Sequence, residues 1–148
     1  MPLLERRPLR ATGISAGIAL AALLSACAPW GLGQEDAQPA GISCIDDSPH
    51  CVDRRRAALK ALTDDKQHSW VRQAPTPQAY ASGVRLFAFK QKKRDLTCDE
   101  LTLGRREADA AAKTLRSAGG LTPAQVARGA MLGTEVSREL QREIARRC

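Results

Sequence analysis

Four times in 148 residues a short hydroxyl side chain stands immediately ahead of a helix-compatible run: Ser48-Pro49, Thr76-Pro77, Thr97 with Glu100, and Thr122-Pro123 with Gln125. Such a hydroxyl accepts a hydrogen bond from an otherwise orphaned N–H of the first helical turn. Proline at the first helical position has the right φ and lacks a donor that would have no partner there anyway. A chain punctuated in this way is directed toward an all-α fold, a small bundle of three to four helices. Only 3% of the residues are aromatic, and the apolar content leans on Ala and Leu, so the core is expected from close helix contacts rather than large rings.

The spacing that follows each start fills in the elements. Cys51, Val52, Ala58, Leu59 and Leu62 recur at helical intervals, predicting a first helix over residues 49 to 66. Tyr80, Gly83, Val84 and Phe87 predict a second, from 77 to about 93, although "VRLFAFK" at Val84 to Lys90 also carries enough β-favouring residues for a strand. Leu101, Ala108, Ala112 and Leu115 define a third helix, stopped by Gly119-Gly120. Val126, Ala130, Gly133, Leu140 and Ile144 share one face of a fourth that continues close to Cys148. The last two form a hairpin, in which Ala108, Ala111 and Ala112 come level with Gly129 and Gly133 and permit close backbone approach. Gly129 and Gly133 have the spacing of a membrane GxxxG pair, but their charged flanks favour packing in a soluble domain.

The N-terminus is organised differently. Met1 to Arg10 carries Arg6, Arg7 and Arg10 against one acidic residue, and Ala11 to Ala26 is small and apolar. That run is short of the roughly 20 residues that cross a bilayer and suits the apolar region of a secretory signal. It ends in Leu24-Ser25-Ala26-Cys27, which resembles the lipobox of bacterial lipoproteins. The resemblance covers only the first 27 residues. It implies a signal peptide at 1–26, a diacylglycerol thioether on Cys27, cleavage before that residue and acylation of the new amino terminus. Two or three acyl chains anchor a domain firmly where one binds only marginally. The same resemblance implies an envelope location with a periplasm-facing domain, and Ala28 in place of the Asp of inner-membrane retention favours the outer membrane. Residues 27–43, rich in Gly, Pro and Ala, read as a flexible tether, leaving 44–148 as the helical domain.

Assigning Cys27 to lipid leaves Cys44, Cys51, Cys98 and Cys148. In an oxidising compartment disulfides are the default, and four cysteines allow three connectivities. The hairpin puts Cys98 beside the far end of the fourth helix, which favours Cys98–Cys148 and, with it, Cys44–Cys51. The two registers differ by about 9 Å at about 1.5 Å per residue, so the last turn of the fourth helix is expected to bend or unwind to close the bond.

Recognisable chemistry is sparse. His50 and Cys51, near Cys44 and Asp46-Asp47, match no zinc spacing well, and oxidised thiols do not ligate, so no metal and no cofactor are expected. His68-Ser69-Trp70 lacks an orienting third group and reads as a packing segment between helices. Asp99 and Glu100 suit a helix N-terminus without further purpose. The formal net charge is +7, and removal of residues 1–26 takes away three basic residues and one acidic one, leaving +5. Of the basic clusters, the row Arg138, Arg142 and Arg146 is interleaved with Glu135, Glu139 and Glu143, as on an ion-paired helix face. Lys90, Lys92, Lys93 and Arg94 meet no acidic residue until Asp95 and form the candidate anionic-binding patch. Nucleic acid is not an expected partner, because no aromatic stacking platform accompanies the charge. The expectation is a non-enzymatic, lipid-anchored envelope lipoprotein contacting another envelope protein. The alternative is a module that binds an anionic polymer or lipid through Lys90–Arg94.

Overall fold

The computed structural model describes residues 42–148. The expected signal peptide, Cys27 and nearly all of the segment expected to be a tether lie outside the described residues. All four start signals are used. Ser48 accepts from the Cys51 amide at 3.2 Å and opens α1, Pro49–Asp64. Thr76 accepts from Ala79 at 3.1 Å and opens α2, Pro77–Ser82, which leads into α3, Val84–Lys92. Thr97 and Glu100 close a reciprocal capping box on α4, Cys98–Ser117, and Thr122 and Gln125 do the same on α5, Pro123–Arg147. A single 3-10 turn, Ser69–Arg72, links α1 to α2, and there is no strand among the described residues. The fold is a small, disulfide-braced all-α bundle.

The expected second helix is two. Gly83 sits at φ 76°, ψ −9°, ending α2 with its N–H on the Tyr80 carbonyl and starting α3. A side chain is strained in that conformation, and a Cβ there would also lie 3.0 Å from Leu132. The break turns α3 into the interior, where Val84, Arg85, Leu86, Ala88 and Phe89 are all buried. A helix surrounded on nearly every side has no polar face to mark its period, which is why "VRLFAFK" carries a strand-like signal while forming a helix. α1 also stops two residues earlier than the spacing suggests. Beyond it the Asp65 carboxylate accepts from the Gln67 and Ser69 amides at 2.9 and 2.7 Å and organises the turn into the 3-10 segment.

α4 and α5 form the hairpin. A Cβ on Gly133 would stand 2.8 Å from the Ala108 carbonyl and 3.0 Å from Ala111, so the two backbones meet there as expected. A Cβ on Gly129 would instead face Leu115 and the Tyr80 carbonyl, at 2.5 and 3.1 Å, rather than the alanines. The disulfides are Cys44–Cys51 and Cys98–Cys148, with Cα separations of 5.5 and 5.9 Å. The end of α5 does not unwind: the Cys148 amide keeps a helical hydrogen bond to Ile144 at 2.8 Å. The register difference is taken up at the other end. Ser137 bonds Asp109, Gln141 bonds Arg105 and Cys148 bonds Cys98 in one continuous register. The first turn of α5 lies beyond that register and reaches the N-terminal segment instead, through Gln125 to the Ile45 carbonyl and Arg128 to Asp47.

Candidate functional site

The most buried polar structure centres on Arg85, which is 1% exposed. Its Nε donates to Glu107 Oε1 at 2.5 Å and one Nη to Glu107 Oε2 at 2.9 Å. The remaining N–H groups reach the carbonyls of Trp70, Val71 (3.1 Å) and Gln73 (2.8 Å). Its guanidinium lies over Trp70 and Phe89, at 5.6 and 5.7 Å, and those rings meet edge to face at 4.7 Å. One arginine thus ties the 3-10 segment, α3 and α4 together. Burial pushes the Glu107 carboxyl above its ordinary range, against the bonds and charge of Arg85. Tyr80 is raised by the same burial and by the Glu107 charge. Nearby, His68 Nδ1 lies 3.3 Å from Glu100 Oε2. Burial raises the Glu100 carboxyl, but the Thr97 amide and hydroxyl and the His68 charge outweigh it, and the net shift is downward. Asp99 and Glu100 therefore stand at a helix start as expected, and Ser69 bonds Asp65 rather than His68.

A groove of about 280 Å³ opens where the α2–α3 junction, α5 and the N-terminal segment meet. Ile45, Phe87 and Leu132 are among its lining, and Phe87 is 42% exposed. Its rim is an ion cluster: Arg128 holds both Asp47 oxygens at 3.1 and 3.3 Å, and Arg55 approaches the same carboxylate at 3.5 Å. Arg55 also donates to the Cys44 and Asp46 carbonyls, at 3.2 and 2.6 Å, so the Cys44–Cys51 ring forms one wall. Cys44, Asp46 and Cys51 present ligand atoms within 4.8 Å of one another, but both sulfurs belong to the disulfide and His50 is not in the group.

The basic clusters are arranged differently from their reading in sequence. Lys90 is bound by Glu135 at 2.5 Å and Glu139 at 3.3 Å, Lys93 by Glu139, and Lys92 by Asp95 at 2.5 Å. The expectation that this cluster meets no acid before Asp95 is corrected here: its partners lie 45 and 46 residues away on α5. Hydrogen bonds to Glu135 and Glu139 raise Lys90, and those from Lys93 and Lys90 lower Glu139. Arg94 contributes its backbone carbonyl to Arg147 at 2.6 Å. The reading of Arg138, Arg142 and Arg146 as one paired row is corrected too. Glu143 binds Arg146 and Arg147, whereas Arg138 and Arg142 have no ion pair among the described residues. No helix among the described residues is long and apolar enough to cross a membrane. Compared with protein-family models, with curated proteins and with solved structures, the chain matches none.

Proposed function

We propose that the chain is a lipid-anchored lipoprotein of the bacterial cell envelope, acylated on Cys27 and favouring the outer membrane. Its helical domain faces the periplasm and serves as a non-enzymatic structural or protein-interaction module. The observation that carries this reading is the cysteine accounting. Four of the five cysteines are consumed in Cys44–Cys51 and Cys98–Cys148, and the one left over, Cys27, closes Leu24-Ser25-Ala26-Cys27. Two disulfides in a small bundle also fit an oxidising compartment. The groove beside half-exposed Phe87 supports a protein-contact role, while Arg85, Glu107, His68 and Glu100 are each engaged with partners inside the fold.

Metabolic labelling with an alkynyl fatty acid, followed by membrane fractionation, tests the anchor. The wild-type chain carries the label and sediments with membranes, and Cys27→Ser loses both. Unchanged labelling and sedimentation of Cys27→Ser overturns the assignment. A photo-crosslinking side chain placed at position 87 is expected to capture an envelope protein that the same probe at Arg116 does not.

A further inference from the structure

From the two unpaired arginines on the outer face of α5, we infer a binding surface for the phosphate layer of an anionic phospholipid membrane. Acidic residues do stand within a turn of both. Glu135 and Glu139 flank Arg138, and Glu139 and Glu143 flank Arg142, but each is drawn elsewhere. Glu135 goes to Lys90, Glu139 to Lys90 and Lys93, and Glu143 to Arg146 at 2.5 Å and Arg147 at 3.0 Å. Arg138 and Arg142 are left exposed, with no hydrogen bond or ion pair among the described residues.

With Arg105 they border an open depression of about 530 Å³ between α4 and α5, also lined by Ser137 and Gln141. The one carboxylate there, Asp109, is already engaged by Ser137 at 2.5 Å and Arg105 at 3.6 Å. Three guanidiniums against one occupied carboxylate leave a positive site. The planar guanidinium fork matches phosphate oxygens in geometry as well as charge.

The neighbouring side chains favour a lipid surface over a soluble phosphate. Met131 is 73% exposed, the most exposed of the large hydrophobic residues among the described ones. With Leu132, Arg128 and Arg138 it lines a second open depression, whose one carboxylate, Glu135, is held by Lys90 at 2.5 Å. It precedes Arg138 by two helical turns, which places it on the same face about 10 Å away. A free apolar side chain beside a cationic strip matches the boundary between acyl chains and headgroup phosphates, whereas a soluble phosphate polymer gives Met131 nothing apolar to enter. Both depressions are open rather than enclosed, as contact with a headgroup still embedded in its bilayer requires. The surface is separate from Lys90–Arg94 and does not depend on acylation of Cys27.

The test uses the full-length chain carrying Cys27→Ser, so that no acyl chain contributes, and reads arginine modification by phenylglyoxal peptide by peptide. With phosphatidylglycerol vesicles, modification of Arg138 and Arg142 is expected to slow about tenfold, and with phosphatidylcholine vesicles to stay unchanged. Arg116 on α4, also exposed and without an ion pair among the described residues, keeps its rate in both. Arg138→Gln/Arg142→Gln is expected to weaken the charge-dependent part of phosphatidylglycerol binding about thirtyfold relative to Lys113→Gln/Arg116→Gln, which removes equal charge elsewhere. Matching circular dichroism and Tm for the two double variants exclude misfolding as the cause. Equal protection of Arg116, equal loss in the two double variants, or equal protection of Arg138 and Arg142 by inorganic phosphate alone overturns the inference.

Discussion

Two ion-pair systems attach α3 to the hairpin, and they differ chiefly in their access to water. On the inner side Arg85 and Glu107 meet with side chains 1% and 5% exposed. On the outer side Lys90 and Lys93 reach Glu135 and Glu139, with the lysines about a third exposed, at 32% and 29%. Their chemistry is nearly the same, yet their energetic roles are opposite. A buried charge that loses its partner is left without solvation, whereas water and salt replace a lost partner at the surface. The inner pair therefore sets the geometry of the core, and the outer pair sets which surface cations remain available.

The largest expected effect is at Arg85. Arg85→Met strands the Glu107 carboxylate and the carbonyls of Trp70, Val71 and Gln73, and is expected to cost about 3–5 kcal/mol in urea unfolding. Arg85→Met/Glu107→Met removes the stranded charge and recovers part of that loss. It does not reach wild type, because the three carbonyls still lack a donor. Full recovery would show that the pair contributes no more than an apolar contact of the same volume. Glu107→Gln comes next, at about 1–2 kcal/mol, since burial already disfavours the charged carboxylate and the amide oxygen still accepts one bond, while one guanidinium N–H loses its acceptor.

The contrast between these regions also marks where the sequence stops being informative. Helix starts, the hairpin and both disulfide pairs are readable because caps and short-range periodicity are local, and because small residues on α4 and α5 fall opposite one another. The break at Gly83 has a local cause that the unbroken spacing of Tyr80, Val84 and Phe87 conceals. Arg85 is missed for a different reason: within "VRLFAFK" its charge, like that of Lys90, reads as a solvent-facing position, and only the burial of α3 on nearly every side makes it internal. That near-absence of a polar face is the signal that could have found it. The acidic partners of Lys90 and Lys93 go unread because they are remote in sequence, and the same remoteness makes Arg138 and Arg142 look paired when they have no ion pair among the described residues. Charge counting along a helix finds neighbours at three and four residues, and here tertiary partners win at Glu135 and Glu139.

Acid titration separates the two systems by sign. Glu139 is lowered by its bonds from Lys93 and Lys90, so its contribution is present above the unfolded carboxylate value and is lost as pH falls through the folded one. Glu107 is raised by burial, so its contribution is fullest below the unfolded value and declines as pH rises through the folded one. Stability measured from pH 7 down to 3 is therefore expected to fall less steeply in Glu139→Gln than in wild type, and more steeply in Glu107→Gln. Glu100 and Glu143 are also lowered and keep the overall acid loss in every variant, so the differences between curves carry the result.

The smallest effect is expected at Lys90, and it bears most directly on whether burial is what distinguishes the two regions. Lys90→Gln releases Glu135 and removes the Lys90 contact to Glu139, but Glu139 keeps Lys93, so the attachment to α5 survives with two ion pairs fewer. Water solvates the freed Glu135 carboxylate, and its new partner is within reach: Arg138 stands one turn along α5. A small drop in Tm at low ionic strength is expected to vanish at 0.5 M salt, whereas the loss in Arg85→Met persists because screening does not reach a dry pair. A salt-resistant loss in Lys90→Gln comparable to that of Arg85→Met would remove burial as the deciding variable. Capture of Glu135 by Arg138 gives a second readout, since Lys90→Gln then slows phenylglyoxal modification of Arg138 and leaves Arg142 unchanged.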